Sequence, residues 1–324
     1  MKKYMLALGL SLLTVLGLFT GCSPKAETAS GSDSLKIVAT IFPEYDWVRQ
    51  VLGDRAGEVQ LTLLLDSGTD LHSYQPTAAD MLTIGECDLF LYNGGESDAW
   101  VERVLATAAN PDRRTLSVME VLGDSVLEEE VVEGMQEAED HDHAEGEAHE
   151  EEADEHVWLS LRNARTACAE IARVLGELDP DHAAEYQTNA ENYMAELETL
   201  DGEYAALAEN AARRTVLVGD RFPFRYLMDD YGLEYYAAFS GCSAETEASF
   251  ETIAFLSGKT EELALPCILT TESPQPGAAE TIRSNTASGD QTILQLDSMQ
   301  SAGTGDNYLD IMKENLEVLR QALA

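Results

Sequence analysis

Positive charge is scarce in this chain of 324 residues. Lys and Arg number 20 against 60 Asp and Glu, which gives a formal net charge of −40. Nucleic-acid binding is excluded because phosphate backbones need basic neutralisation. Attachment to anionic lipid by charge is excluded for the same reason. The summed negative field instead favours the attraction of cations.

Cysteine is also sparse, with five residues and no CxxC spacing, which argues against a structural zinc–thiolate site. Four cysteines follow Cys22: Cys87, Cys168, Cys242 and Cys267. In an exported protein four cysteines permit disulfides in three pairings. We favour the pairing of Cys242 with Cys267, which lie in the same half of the chain.

The sequence lacks the motifs of the common hydrolases. No GxSxG or Ser-x-x-Lys is present, and His149-Glu150-Glu151-Glu152-Ala153 has no second His to complete HExxH. An exported zinc hydrolase, which would need a general base beside an open metal position, is therefore disfavoured. We expect a protein that is not an enzyme.

The N-terminus has one apolar run, Met5 to Phe19, which follows Lys2 and Lys3. The run is too short for a comfortable membrane span, and the arrangement is typical of a secretory signal over residues 1–22. Leu18-Phe19-Thr20-Gly21-Cys22 resembles a bacterial lipobox with Cys22 as the lipidated residue, although Phe19 stands where Leu is more usual. The alternative is an ordinary signal peptide with a chance cysteine. Small polar residues 23–34 suit a tether.

Short apolar runs alternate with helical patterns through the rest of the chain, which predicts an α/β fold of two lobes with small, mostly parallel sheets. The predicted strands cover 35–41, 59–65, 88–92, 215–218, 233–239, 267–271 and 291–296. We expect an N-terminal lobe over 35–178 and a C-terminal lobe over 213–324. Residues 179–212, which begin with Asp179-Pro180, predict one long linking helix.

One segment, 128–155, differs from the rest in composition. It holds 15 acidic residues in 28 and no Lys or Arg, together with His141, His143 and His149. So charged a segment buries too little apolar surface to order itself, so we expect a mobile loop. Its histidines stand among carboxylates, and they could bind zinc first and then pass it to a second site elsewhere in the protein. The alternative is an acidic solvated linker.

Two further histidines and two carboxylates stand where chemistry is expected. His72 follows a predicted strand, and His156 follows the acidic segment just before an apolar anchor, Val157-Trp158-Leu159. Asp220 and Glu272 each end a predicted strand of the C-terminal lobe, where open α/β sheets bind ligands. Together these side chains predict a site with two nitrogen and two oxygen ligands for zinc, or for manganese. As the alternative, each carboxylate is a cap or an ion-pair partner. His182, in the first turn of a helix, is expected to be exposed and non-functional.

The chain resembles the metal-binding solute-binding lipoproteins of zinc and manganese ABC transporters. His72-Ser73-Tyr74-Gln75-Pro76-Thr77 and His156-Val157-Trp158-Leu159-Ser160 resemble the family's first two ligand motifs, with Leu161 where Pro is usual. The acidic His-rich segment resembles the loop of the zinc-type members. Tyr226-Leu227 and Tyr231-Gly232-Leu233 resemble the segment after the third ligand.

The resemblance implies a two-lobed, lipid-anchored monomer on the outer face of the bacterial membrane, which passes Zn2+ to a permease served by an ATPase. Arg221 stands at the aligned third-ligand position and is a poor ligand because it is always cationic. The resemblance therefore leaves Asp220 as the substitute, with Glu272 near the fourth position. A manganese- or iron-selective binder and a metal-buffering surface adhesin remain alternatives.

Overall fold

The computed structural model describes residues 34–66, 68–106, 109–136, 152–243, 247–272 and 277–324. The signal, tether and Cys22 lie outside these ranges. So do His141, His143 and His149. No helix within the described ranges is both long enough and apolar enough to cross a bilayer.

The N-terminal lobe contains a four-stranded, wholly parallel sheet in the order β2-β1-β3-β4. Its strands are β1 Lys36–Ala39, β2 Gln60–Leu63, β3 Leu89–Tyr92 and β4 Arg114–Ser117. The first three confirm the predicted strands. The fourth was not assigned from the sequence, because residues 115–122 divide between a four-residue strand and a short helix.

The C-terminal lobe repeats this plan with a second parallel sheet in the order β6-β5-β7-β8. Its strands are β5 Thr215–Phe222, β6 Glu234–Ser240, β7 Cys267–Thr270 and β8 Thr292–Gln295. All four confirm the sequence prediction. Helices that cover both faces explain why β3, β5 and β7 are apolar runs rather than alternating patterns.

Ten α-helices connect and cover the strands within the described ranges. They are α1 Phe42–Leu52, α2 Ala78–Glu86, α3 Val101–Leu105, α4 Val118–Leu122, α5 Leu161–Leu178, α6 Ala183–Asn210, α7 Arg225–Tyr231, α8 Phe250–Glu262, α9 Gly277–Asn285 and α10 Tyr308–Ala322. The predicted linking helix is present as a short 3-10 turn, Pro180–His182, followed by the 28 residues of α6.

One continuous apolar core joins the two lobes. It includes side chains of β1 and β5 and buries residues of α1, α5, α6 and α10 between the sheets. Two smaller clusters lie behind the sheets, one under α8 and α9 and one under α2 and α3. Each sheet therefore has one face on the shared core and the other on its own helices, so the carboxyl ends of the strands are held firmly.

The described ends of the acidic segment are ordered, which corrects the expectation that all of residues 128–155 form a mobile loop. Glu129 N donates to Glu152 O at 2.8 Å, and Asp154 N donates to Leu127 O at 2.8 Å. Further along, Gln136 N donates to Ala238 O of β6 at 2.9 Å. These backbone hydrogen bonds pair the two ends of the segment with each other and with β6. Composition alone could not predict this order, because it does not show which backbone groups pair.

Candidate metal centre

His72 lies on a short 3-10 turn, Leu71–Ser73, in the connection that follows β2. The Asp70 carboxylate begins this turn by accepting a hydrogen bond from His72 N at 3.0 Å. It also accepts one from Arg221 Nη1, on β5 of the other lobe, at 2.9 Å. Burial would raise the pKa of Asp70, but the hydrogen bonds from Arg221 and His72 outweigh it and the pKa is lowered. A charged pair thus joins the lobes beside His72.

His156 is fully buried where the acidic segment meets the turn Val157–Leu159. Trp158 Nε1 donates to Ser298 O at 2.9 Å, and Tyr308 Oη donates to Trp158 O at 2.7 Å. Both partners belong to the C-terminal lobe. The apolar anchor expected after His156 is therefore present, and it fixes the imidazole between the lobes.

The two imidazoles meet. Their Nε2 atoms are 3.3 Å apart, although 84 residues separate them along the chain. His72 Nδ1 lies 2.9 Å from Ser97 Oγ and 3.4 Å from Glu155 Oε2. His156 Nδ1 lies 3.0 Å from Asp154 Oδ1. These acceptors favour the tautomer with the proton on Nδ1, which leaves both Nε2 lone pairs free to bind.

Two facing lone pairs repel unless a cation or a proton lies between them. Nitrogens that are each about 2.0–2.1 Å from a tetrahedral zinc ion are about 3.3–3.4 Å apart. The observed 3.3 Å matches that separation. The separation of the pair is thus the one that two nitrogen ligands of a single tetrahedral ion would have.

Glu155 supports His72 from the acidic segment. Its carboxylate accepts hydrogen bonds from Ser97 N at 2.8 Å and from Ser97 Oγ. Burial would raise the pKa of Glu155, but the hydrogen bonds from His72 and Ser97 outweigh it and the pKa is lowered. Asn93 Nδ2 fixes the backbone by donating to Glu155 O at 2.8 Å. An ionised carboxylate is thus held against the ring of His72.

A third potential ligand comes from the C-terminal lobe. Among the described residues, one group of His, Cys, Asp or Glu side chains could hold a metal ion, and it consists of His72, His156 and Cys242. The Sγ atom and the two imidazole nitrogens all lie within 4.8 Å of one another. Cys242 stands two residues beyond β6, at the carboxyl edge of its sheet.

Asp220 and Glu272 do not join this group. Asp220 Oδ2 accepts hydrogen bonds from Thr270 Oγ1 at 3.0 Å and from Thr271 Oγ1 at 2.7 Å, which ties β5 to the end of β7. Glu272 accepts from Ser298 Oγ at 2.6 Å and from Gln300 N at 3.0 Å. In the structure both carboxylates accept hydrogen bonds that fix strand ends, and neither belongs to the group of His72, His156 and Cys242.

An acidic pocket leads to the pair. Its lining includes His72, Cys242, Glu96, Glu129, Glu152 and Glu155. Closely spaced carboxylates at a pocket mouth raise the local concentration of cations. The pocket is therefore a negatively charged space that borders His72 and Cys242.

The family model for the zinc-uptake complex component A, periplasmic, matches residues 37–322. The chain belongs to this family. Its members are metal-binding components of transport systems, and their extracytoplasmic location accords with the signal expected over residues 1–22.

Relatives of this zinc-uptake component cover nearly the whole chain. This chain is 31% identical to the zinc-binding lipoprotein AdcA of Streptococcus pneumoniae over 323 residues, which is 99% of this chain and 61% of that protein. It is 29% identical to the high-affinity zinc uptake system protein ZnuA of Bacillus subtilis, over 93% of this chain and 91% of that one. The chain thus spans about three fifths of the pneumococcal relative.

The fold is that of solved zinc-uptake components. The Zn(II)-bound ZnuA-like domain of Streptococcus pneumoniae AdcA superposes with a TM-score of 0.69 at 28% identity, over 90% of this chain and 99% of that domain. The two-lobed α/β architecture predicted from the sequence is therefore confirmed by both the sheets and the neighbours.

The structure also revises the expected cysteine pairing in this family member. Cys87, Cys168, Cys242 and Cys267 are all free thiols. Cys267 begins β7, whereas Cys242 lies beyond the end of β6, and β5 stands between those two parallel strands. The two residues are therefore at opposite edges of the sheet, and the predicted disulfide is wrong.

Sequence reasoning missed Cys242 and Glu155 as parts of the site. Glu155 was counted with the acidic segment, and Cys242 was assigned to a disulfide. One local signal was present, because Gly241-Cys242 follows a predicted strand end, the same position that drew attention to Asp220 and Glu272. His182 is half-buried and not exposed as expected, because its Nδ1 lies 2.7 Å from Asp179 Oδ2; it does not belong to the group of His72, His156 and Cys242.

Proposed function

We propose that this protein binds Zn(II) in the cleft between its lobes and delivers it to the permease of an ABC importer. His72 and His156 bind the ion through Nε2. Asp154, Glu155 and Ser97 hold the two rings in the ligand tautomer. The supporting relatives are a zinc-binding lipoprotein and a high-affinity zinc uptake protein.

One observation carries this proposal. The Nε2 atoms of two imidazoles from distant parts of the chain are 3.3 Å apart, and each ring has an acceptor at Nδ1. A structural histidine pair would need a donor on one of the facing nitrogens. A shared divalent ion instead satisfies both lone pairs.

Asp220 and Glu272 have a supporting role. Glu272 fixes the backbone of Gln300, whose side-chain Nε2 lies 3.4 Å from His156 Nε2. If the Gln300 side-chain amide is rotated by half a turn, its oxygen takes the place of its nitrogen beside His156 Nε2. We assign the remaining coordination position of the ion to the Gln300 side chain or to a water molecule beside that side chain.

Delivery requires the protein to stay near the permease. Lipidation at Cys22 would anchor a monomer to the outer face of the membrane, where residues 23–34 would act as a tether. The cargo enters through the acidic pocket and is held where both lobes contribute contacts. The importer's ATPase, and not this chain, would supply the energy of transport.

The experiment measures zinc stoichiometry and affinity in competition with a chelator. We expect His72→Ala and His156→Ala each to remove the tightest site, and His182→Ala, a matched histidine outside the centre, to retain it. Circular dichroism checks that all variants are folded. Tight zinc binding that survives the joint loss of His72 and His156 would overturn the proposal.

A further inference from the structure

We propose that the Cys242 sulfur is the third protein ligand and binds zinc as a thiolate, so that two nitrogens and one sulfur hold the ion in place of two nitrogens and two oxygens. This inference rests on the proposed function, and it names the group that makes the site select zinc over manganese.

The chain brings Cys242 to the imidazoles through a glycine. A Cβ atom added at Gly241 would lie 2.7 Å from His156 Cε1 and 2.9 Å from Phe222 O, which is closer than real Cβ contacts come. Only glycine lets the backbone pass this close to the ring. The next residue, Cys242, therefore emerges beside the two imidazoles, and its sulfur lies within 4.8 Å of a ring nitrogen of each.

The position of Cys242 is held from the other lobe. Its backbone N donates to Glu129 Oε1 at 3.3 Å, and Glu129 belongs to the ordered first arm of the acidic segment. A tetrahedral zinc ion needs about 3.6 Å between its sulfur and nitrogen ligands. The three ligand atoms already lie within 4.8 Å of one another, so the thiol has at most about 1.2 Å to close.

Among the described residues, no Asp or Glu side chain belongs to the group that contains the two imidazoles. Asp220 and Glu272 are engaged by strand-end hydrogen bonds, and Arg221 pairs with Asp70. Zinc held by two neutral imidazoles needs an anionic ligand to offset its charge in a buried site. Cys242 is the residue of the cluster that can supply one.

Coordination converts the thiol to a thiolate. When zinc binds, the sulfur–hydrogen bond is replaced by a sulfur–zinc bond and the proton leaves to solvent. No oxidant or reductant takes part.

A sulfur ligand determines which metal is retained. Thiolate is a soft ligand that suits zinc, whereas manganese prefers oxygen ligands. The manganese reading that the sequence left open is therefore disfavoured at this centre. An oxygen ligand at position 242 should therefore reduce the ratio of zinc affinity to manganese affinity.

The first test uses the wild-type protein loaded with Co(II) in place of zinc. A sulfur–cobalt bond gives a charge-transfer band in the near ultraviolet that imidazole and carboxylate ligands do not give. We expect this band in the wild type and in Cys87→Ala, a matched substitution of a buried thiol outside the cluster. Substituting His141, His143 and His149 with Ala in each protein confines cobalt to the cleft.

Alkylation of the native protein provides a second readout that does not depend on any substitution. At an alkaline pH where the zinc-free protein is alkylated at Cys242 by iodoacetamide, bound zinc should protect this residue. Mass spectrometry of the digested protein locates the modified thiol. Equal modification with and without zinc would overturn the inference.

Two variants at position 242 distinguish a failure of the sulfur ligand from a failure of the proposed function. Cys242→Ser should lose the cobalt band and at least about tenfold in zinc affinity. Cys242→Asp, which keeps an anion, should lower the ratio of zinc to manganese affinity. If cobalt binds through His72 and His156 without the band, the thiolate is wrong while the histidine centre stands. If the cleft takes no metal, both are wrong.

Discussion

At the scale of single residues, the proposed centre depends on carboxylates that contact the two histidines and would not contact the ion. Asp154 accepts hydrogen bonds from both the backbone N and the Nδ1 of His156, at 2.9 and 3.0 Å. Glu155 holds His72 directly and through Ser97. Adjacent residues of the chain therefore orient two rings that belong to one site.

We expect Asp154→Asn to weaken zinc binding by about 10–100-fold, the usual range when a group that orients a metal ligand is lost. The amide is nearly isosteric, but it can present its NH2 group to Nδ1 and so favour the wrong tautomer. Competition with a fluorescent zinc chelator measures the change. Glu133→Gln, a matched change at an exposed carboxylate of the acidic segment outside the acidic pocket, should leave zinc affinity within about twofold. Equal affinities for the two variants would contradict this role.

The residue scale also shows what the sequence could and could not predict. His72 and His156 could be found because each lies in a recognisable motif next to a predicted strand end or anchor. Asp220 and Glu272 occupied equally suggestive positions, but their partners are Thr270, Thr271 and Ser298, which lie at or just beyond the ends of other strands. Whether a carboxylate caps a neighbour or binds a metal is decided by such non-local contacts, which the order of residues does not reveal.

At the scale of elements, we propose two functions for the acidic segment. Its ends are ordered arms that supply Glu129, Asp154 and Glu155 to the centre. The histidines between them, His141, His143 and His149, lie outside the described residues and keep the capture role proposed from composition. A deletion of the whole of 128–154 would remove both functions together and could not separate them.

We therefore expect substitution of only His141, His143 and His149 by Ala to slow zinc capture at limiting zinc and leave the affinity of the cleft largely unchanged. Stopped-flow transfer of zinc from a fluorescent chelator measures the capture rate. His182→Ala is the matched control. An unchanged capture rate in the triple variant would reject the capture role.

Helix α1 carries a buried acid that links stability to pH. Burial, reinforced by the charge of Asp98, raises the pKa of Glu44 from 4.5 to about 8. Between these values the folded protein retains a proton that the unfolded chain has released. The free energy of unfolding should therefore fall as the pH rises from about 5 to about 8.

We expect Glu44→Gln to reduce this slope, since the amide cannot ionise. Urea denaturation of the zinc-free protein at several pH values measures it. The slope should not vanish, because Asp98 and Asp297, with pKa values raised to about 7 and about 6, contribute in the same direction. Glu203→Gln, at an exposed position of α6, should keep the wild-type slope. An identical slope in Glu44→Gln would contradict the assignment.

At the scale of the whole molecule, two similar α/β halves share one core and bring the carboxyl ends of their strands together. The alternation of apolar runs with helices was enough to predict both parallel sheets and the long helix. The sequence could not predict that Arg221 would pair with Asp70 across the cleft or that Cys242 would stand beside His156. Both facts depend on the placement of one lobe against the other, which is set by the packing of α1, α5, α6 and α10.

The central claim is that a single divalent ion joins His72 to His156 between the lobes. Anomalous diffraction at the zinc edge, from crystals of the zinc-loaded protein, tests it most directly. The account predicts one strong peak bonded to both Nε2 atoms at about 2.0–2.1 Å. An absence of zinc between these rings, with zinc bound elsewhere on the protein, would contradict it.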